Sequence, residues 1–272
     1  MPMTTPVRIA CAAVLALLFV SLPCAGRAQG GDPPSRVLVE GEELIYNVRY
    51  GFIDLGQVKI KITNGVRNAY YAGVQGKAYI DSYKKVPFVD LHAVFESVID
   101  TAVFSRYFVA KLRDKEHWNT ARYSFEYDRN RVLIEVGDMD TVVTKRDTLK
   151  IETHFEDGLS LFFYARDQLY AGREIIVPTL IQEAKVTTSI NFKRERTSVE
   201  VDAIEYPVDV IGFEGRADFV GIFGLTGGFE GWFSNDEARV PIMAKMKVLI
   251  GSVTIELMKW TRAGWTPPRG KG

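Results

Sequence analysis

Cysteine is almost absent from this chain. Cys11 and Cys24 are the only two, and both fall within the first 28 residues. A chain processed after Ala28 has none, which excludes a disulfide framework and a cysteine nucleophile and leaves stability to the core alone. Net charge is absent too: Lys+Arg and Asp+Glu both total 34, and removing Arg8 and Arg27 with the first 28 residues leaves 32 against 34, or −2. That balance supplies no electrostatic footprint for nucleic acid or an anionic membrane surface. Catalytic signatures are missing as well. There is no G-x-S-x-G elbow, no H-E-x-x-H, and no Gly-Lys-Ser/Thr after the one Gly-rich run. Asn119-Thr120-Ala121 fails the glycosylation triplet, and no internal repeat or second-domain linker interrupts the chain.

Apolar residues, by contrast, are plentiful: 47% are hydrophobic and 12% aromatic, enough to bury a substantial core. The one long apolar run lies at the start. Residues 1–8 carry a single basic residue, 9–22 are almost continuously apolar, Pro23 breaks the run, and Gly26-Arg27-Ala28 supplies small residues at a cleavage position. This layout is that of a secretory signal peptide cut at Ala28, its apolar run short for a membrane span. An uncleaved anchor is the alternative. Cys24 invites a lipoprotein reading, but Pro23 sits where a small residue is expected. The expected destination is the periplasm or outer envelope of a Gram-negative bacterium, with no transmembrane segment once the signal is removed. Residues 29–40 then read as a linker, 41–260 as a single domain and 261–272 as a flexible Pro/Gly-rich tail.

Within the domain, period-2 alternation predicts strands over 43–50, 58–62, 70–80, 91–99, 107–112, 123–127, 132–136 and 141–144, with Asn64-Gly65 as a hairpin turn. Further strands are expected over 174–181, 186–192, 198–204, 208–213 and 216–220, and then two hairpins over 230–260. For the last hairpin a Gly251-Ser252 turn puts Ile250 opposite Val253, Val248 opposite Ile255 and Met246 opposite Leu257. Leu249 then faces Thr254, and Lys247 pairs with Glu256 on the other side. One segment changes period: 158–171 spaces Leu159, Phe162, Phe163, Arg166, Leu169 and Tyr170 as a helix, with Asp157 or Ser160 to cap it and Gly172 to end it. The expected fold is mainly β, a single antiparallel domain (curved sheet, open barrel or sandwich) with one substantial helix.

Chemistry is sparse. The three histidines are His92 in a strand, His117 in a polar loop and His154 in His154-Phe155-Glu156-Asp157, whose acids suit a helix N-terminus. No metal site, catalytic set or cofactor is expected from them. An enzyme would need His154, Glu156 or Asp236 to converge in a cleft. Residues 219–229 are uncharged and hold three Phe and four Gly, which suits either an apolar lip, at the mouth of a ligand cavity or dipping into a membrane, or a long Gly-rich hairpin. The candidate ligand-binding residues are Phe219, Phe223, Phe229, Trp232 and Phe163.

Gly41-Glu42-Glu43-Leu44-Ile45-Tyr46 followed by Gly51-Phe52-Ile53-Asp54-Leu55-Gly56 resembles the opening of the domain of unknown function 3108 family (DUF3108) of exported bacterial proteins. Asp157-Gly158-Leu159-Ser160-Leu161-Phe162-Phe163-Tyr164-Ala165-Arg166 is similar to that family's D-x-x-S-x-x-Y-Y-x-R helix, with Phe163 in place of its first Tyr. Trp232-Phe233-Ser234-Asn235-Asp236 through Arg239-Val240-Pro241 is similar to its W-x-S-x-D…R-x-P hairpin. The resemblance covers roughly residues 41–257. It implies an exported envelope protein and supplies no catalytic residues. The leading expectation is a non-enzymatic envelope protein holding a lipid or other apolar ligand between curved sheet and helix. The alternatives are a scaffold module binding an envelope protein partner and, third, a hydrolase-type enzyme.

Overall fold

The computed structural model describes residues 36–271 except 69–70, 85, 87–89, 139–141, 221–225 and 249–250, and leaves out the side chains of 218–220 and 226. The signal segment and Ala28 lie outside the described residues. Those that are described belong to one compact unit, Asp32–Gly272.

Fourteen strands form one antiparallel sheet. In chain order they are β1 (Glu43–Tyr50), β2 (Ile53–Arg67), β3 (Ala72–Ser82), β4 (His92–Ile99), β5 (Ser105–Asp114), β6 (His117–Glu126), β7 (Arg131–Asp138) and β8 (Val142–Lys150). Helix α1 (Ser160–Asp167) follows, with a single 3-10 turn at Leu169–Ala171. Then come β9 (Glu174–Ile181), β10 (Ala184–Val201), β11 (Ile204–Val220), β12 (Thr226–Ser234), β13 (Pro241–Lys247) and β14 (Ser252–Thr261). The sheet runs β8 to β1, then β14 back to β9, so the first and last strands pair at its centre and β8 and β9 are its free edges.

The alternation that identified the strands is what buries them. In β1, Leu44, Tyr46 and Val48 are buried while their neighbours are half-exposed, and β7 buries Val132 and Ile134 the same way. Register shifts interrupt the long strands at Ile62/Gly65, Phe192/Arg196 and Ala217/Val220. Bulges of this kind increase local twist and bend the strand, which lets the sheet curl around its own core. The edges approach without joining: Lys185 Nζ donates to the Lys150 carbonyl at 3.1 Å and Tyr123 OH to Glu183 Oε1 at 3.1 Å. The mainly β, antiparallel expectation holds, and of its three forms the structure takes a single open sheet rather than a sandwich.

Several local expectations are corrected. Asn64-Gly65 does not turn the chain. It sits at the β2 bulge, and the turn comes at Asn68, whose amide donates to the Tyr71 carbonyl at 3.0 Å and whose side chain takes the Tyr71 amide at 2.9 Å. The strands expected over 186–192 and 198–204 are one strand, β10, whose charged Lys193-Arg194-Glu195 mark a bulge. In the last hairpin Met246 faces Val253 and Lys247 faces Ser252, because Gly251 (φ 82) ends a four-residue turn closed by Val248 N–H to the Gly251 carbonyl at 3.3 Å. Met246 thus moves from Leu257 to Val253, an even shift of four that keeps the apolar face. The Lys247–Glu256 pair is lost, and Glu256 instead takes the Asp202 amide at 2.6 Å. Leu249 and Ile250 lie outside the described residues.

The described parts of the segments expected to be linker and tail, from Arg36 on and up to Lys271, are held. Val37 and Leu38 are buried in the core. At the other end Trp265 Nε1 donates to Asp236 at 2.8 Å, Tyr206 OH to the Pro267 carbonyl at 2.9 Å, and the Asp209 amide to the Pro268 carbonyl at 2.9 Å.

Candidate functional site

Helix α1 is short, so it depends on what holds its ends. At its start, Asp157 Oδ1 accepts the amides of Leu159 (2.7 Å) and Ser160 (2.8 Å), and Ser160 Oγ accepts the Asp157 amide at 2.8 Å, a reciprocal capping arrangement. The other carboxylate oxygen takes hydroxyls from Ser97 on β4 (2.6 Å) and Ser105 on β5 (2.5 Å). Burial pushes the Asp157 carboxyl up, against the pull of those hydrogen bonds. Glu156 beside it is almost wholly buried, its Oε2 has no partner, and burial raises its carboxyl well above the ordinary range.

At the helix's far end Arg166 is fully buried. Its guanidinium grips Glu42 in a fork at 2.6 and 3.0 Å and donates to the carbonyls of Arg239 (3.1 Å) and Ala238 (3.0 Å). Arg262 also donates to Glu42. Burial pushes Glu42 up, but the two guanidiniums outweigh it and hold the carboxyl below its usual range.

Pinned at both ends, α1 lies across the concave face of the sheet and leaves a cavity of about 310 Å³ beneath its outer side. Leu161, Phe162 and Ala165 of the helix form one wall, Tyr46 and Ile60 another, and Phe213, Phe229, Phe233, Met243 and Met246 the rest. Polar groups contribute little. The Thr188 hydroxyl is engaged with Thr179 at 3.2 Å, and Lys247 is the one charged residue on the wall. The Tyr46 hydroxyl is buried without a partner close to Arg166 and Glu42, and burial pushes it up. Glycines make room for the rings: a Cβ at Gly215 would meet the Phe229 ring at 2.3 Å, and one at Gly231 the Phe213 ring at 2.5 Å.

Of the residues singled out from sequence, Phe229 is on the cavity wall. Phe163 is fully buried on the other side of the helix, against Gly76, Leu159 and Ile99. Trp232 alternates to the opposite face of β12, beneath the Lys245 ammonium at 5.5 Å. The Phe219 side chain and Phe223 lie outside the described residues. Sequence reasoning put Phe162 on the helix's apolar stripe without making it a ligand residue, and passed over Leu161 and Ala165. Their i, i+1, i+4 spacing was available as a second apolar stripe, but nothing local says which stripe faces a void.

Of the three groups named for an enzyme, His154 and Asp236 are engaged elsewhere and Glu156 is buried with Oε2 unpartnered. His154 stacks flat on Phe104, ring centroids 3.8 Å apart. Asp236 Oδ1 accepts the Ser234 hydroxyl at 2.8 Å and the amides of Ala238 and Arg239 at 3.0 Å. Neither of them, nor Glu156, reaches the cavity wall. Among the described residues no cluster of His, Cys, Asp and Glu has the makings of a metal site.

Fold and site together define an open, curled antiparallel sheet, barrel-like, with a helix laid over an apolar cavity. The chain matches DUF3108, described as a protein of unknown function, over residues 45–258, and it belongs to that family. A β-barrel-like protein of domain of unknown function DUF1849 from Brucella abortus is similar in structure, with TM-score 0.56 and 12% identity over 83% of this chain and 98% of that one. A protein with a YmcC-like fold from Bacteroides fragilis aligns at TM-score 0.34 and 6% identity over 82% and 97%, and that likeness carries no argument. No curated protein matches the chain.

Proposed function

We propose that this protein binds an apolar, chain-like ligand, such as a lipid acyl chain, in the cavity between α1 and the curled sheet, and performs no chemistry on it. The observation that carries this reading is the cavity itself. Its volume of about 310 Å³ falls at the small end of the range, about 300–1,000 Å³, in which ligand sites occur. At about 30 Å³ for a water-sized group, it suits a single chain better than a whole two-chain lipid. Natural interiors close such voids, since each cavity wall forfeits packing contacts. An apolar space of this size, lined by aromatic and aliphatic side chains, suits an apolar guest. Each methylene transferred into it gains about 0.8 kcal/mol.

The non-enzymatic part rests on where the titratable groups go. Asp157, Glu42 and Arg166 are consumed in pinning the helix. The exported part rests on the N-terminal signal layout, and no described helix is long and apolar enough to cross a membrane. A scaffold working through a sheet edge fits less well. The free edge β8 reads Val-Val-Thr-Lys-Arg-Asp-Thr-Leu-Lys, and charge along an edge is what discourages strand addition.

Titration with a fluorescent fatty acid tests the reading. The wild-type protein is expected to take up the probe at about one per chain. Ala244→Phe, which puts a ring into the cavity from β13, is expected to weaken uptake about tenfold or more while leaving the thermal transition in place. Uptake that is absent in the wild type, or unchanged in Ala244→Phe, would overturn it.

A further inference from the structure

Exposed apolar side chains are not spread evenly over the molecule. Of the seven large ones among the described residues, Tyr50, Phe52, Ile53, Leu112 and Val142 lie along a single rim of the sheet, leaving Tyr170 and Ile176 elsewhere. Strand pairing places them there: Tyr50 faces Ile53 and Val253, Ala93 faces Leu112, and Asp138 faces Val142, each at the same end of its ladder. The most exposed is Phe52, at 94%, on the tip of the β1–β2 turn behind Gly51 (φ 58). The opposite rim turns through Asp100, Asp128, Asp202 and Asp236 instead.

The cavity reaches this same rim. Gly227 and Gly228 at the start of β12, and Met246 and Lys247 at the end of β13, line it there, and Lys247 is two strands from the Phe52 turn through β14. Near Phe52 the acids have partners, while farther along the rim Asp114 and Glu116 are exposed. Asp54 is held by Asn47 (2.6 Å) and Arg49 (3.4 Å) and Asp90 by Arg113 (2.7 Å), while Asp81 is hydrogen-bonded to His92 (2.7 Å) and keeps its charge. Lys84 and Lys247 are exposed and have no acidic partner among the described residues.

We propose that this rim docks on a phospholipid bilayer with anionic headgroups, with Phe52 inserted among the acyl chains and Lys84 and Lys247 at headgroup level. A phenylalanine projecting from a turn, with exposed apolar side chains at neighbouring strand ends and two lysines without an acidic partner among the described residues, matches the layered chemistry of a bilayer interface better than the flat face a protein partner would bury. Around Phe52 the near-neutral balance of the whole chain is not kept locally: Lys84 and Lys247 lie to either side, while Asp54 and Asp90 are held by Arg49 and Arg113. The inference extends the apolar-ligand reading. A chain-like guest resides in bilayers, and a cavity mouth set on the docking rim lets it pass between membrane and protein without crossing water.

Flotation of the chain from Gln29 with vesicles of phosphatidylethanolamine and phosphatidylglycerol, alongside fatty-acid probe uptake, tests it. Wild type is expected to float with the vesicles. Phe52→Ser, an exposed change that leaves the fold intact, is expected to bind about tenfold or more weakly while its probe uptake stays at the wild-type level. The double variant Lys84→Gln/Lys247→Gln is expected to lose binding to the anionic vesicles and to keep its transition temperature. Wild type left behind, or Phe52→Ser floating as wild type does, would overturn the proposal whatever the probe shows. Ala244→Phe separates the two readings, since it is expected to lose the probe and still float.

Discussion

Asp157 is a carboxylate removed from water and rebuilt into a hub: two hydroxyls and two amides point at it, from two strands and the helix start. Asp157→Ala would strand those buried donors and remove the cap, at a cost of about 3 kcal/mol. Asp157→Asn should recover part of that, because one amide oxygen still serves the helix amides and serine hydroxyls also accept. Urea unfolding of the two variants checks the order. Glu156 makes a different prediction. Its folded-state carboxyl is raised above the ordinary 4.5 by burial, so the folded protein keeps a proton that the unfolded chain releases. Its contribution is therefore full below about pH 4.5 and fades as pH climbs through the raised value, by about 1.4 kcal/mol per pH unit across that interval. Glu156→Gln should be the less pH-sensitive protein when unfolding is compared at pH 5 and pH 8. An equal loss in both proteins would contradict the assignment.

At the level of elements, the eight-residue α1 is fixed by an acid at one end and an arginine at the other. Arg166→Met leaves Glu42 with Arg262 alone and frees the carbonyls of Ala238 and Arg239. Breaking a buried pair on one side costs about 3–5 kcal/mol, so the variant should unfold at markedly lower urea. The double variant Glu42→Gln/Arg166→Met should regain part of the loss, which a double-mutant cycle would show. The elements were largely legible. The limits of β1 and β9 follow from alternation, and Gly172 (φ 60) stops the helical segment as its position suggested. What was not legible was which of two competing turn signals wins. Asn64-Gly65 and Lys193-Arg194-Glu195 have the composition of turns but are bulges inside β2 and β10, because pairing with neighbours many residues away continues past them. The helix pins were hidden for the same reason: Asp157 meets Ser97 from 60 residues away, and Arg166 meets Glu42 from 124. The motifs that carry the DUF3108 resemblance turn out to supply these pins, through Glu42, Asp157, Ser160, Arg166, Asp236 and Arg239. The cavity wall, by contrast, is built mostly from apolar residues between them: Phe229 was singled out through its uncharged Gly-rich run, whereas Phe162 and Met246 read only as members of an apolar face and Met243 not at all.

On the scale of the whole molecule, a meander of fourteen strands folds its two ends together at β1 and β14 and leaves β8 and β9 as facing, unjoined edges. A sheet curled this way, but not closed, encloses more volume than its own side chains fill. The helix covers part of the remainder, and what is left is the apolar cavity opening toward the Phe52 rim. The central claim is that this space is made to be occupied, and the most direct test is the mass of the native protein. Protein purified from the envelope of its own cells, analysed by native mass spectrometry and then extracted with organic solvent, is predicted to carry an apolar small molecule. The same preparation of Ala244→Phe should be bare. A wild-type protein that shows only its own mass, with nothing in the extract, would contradict the account.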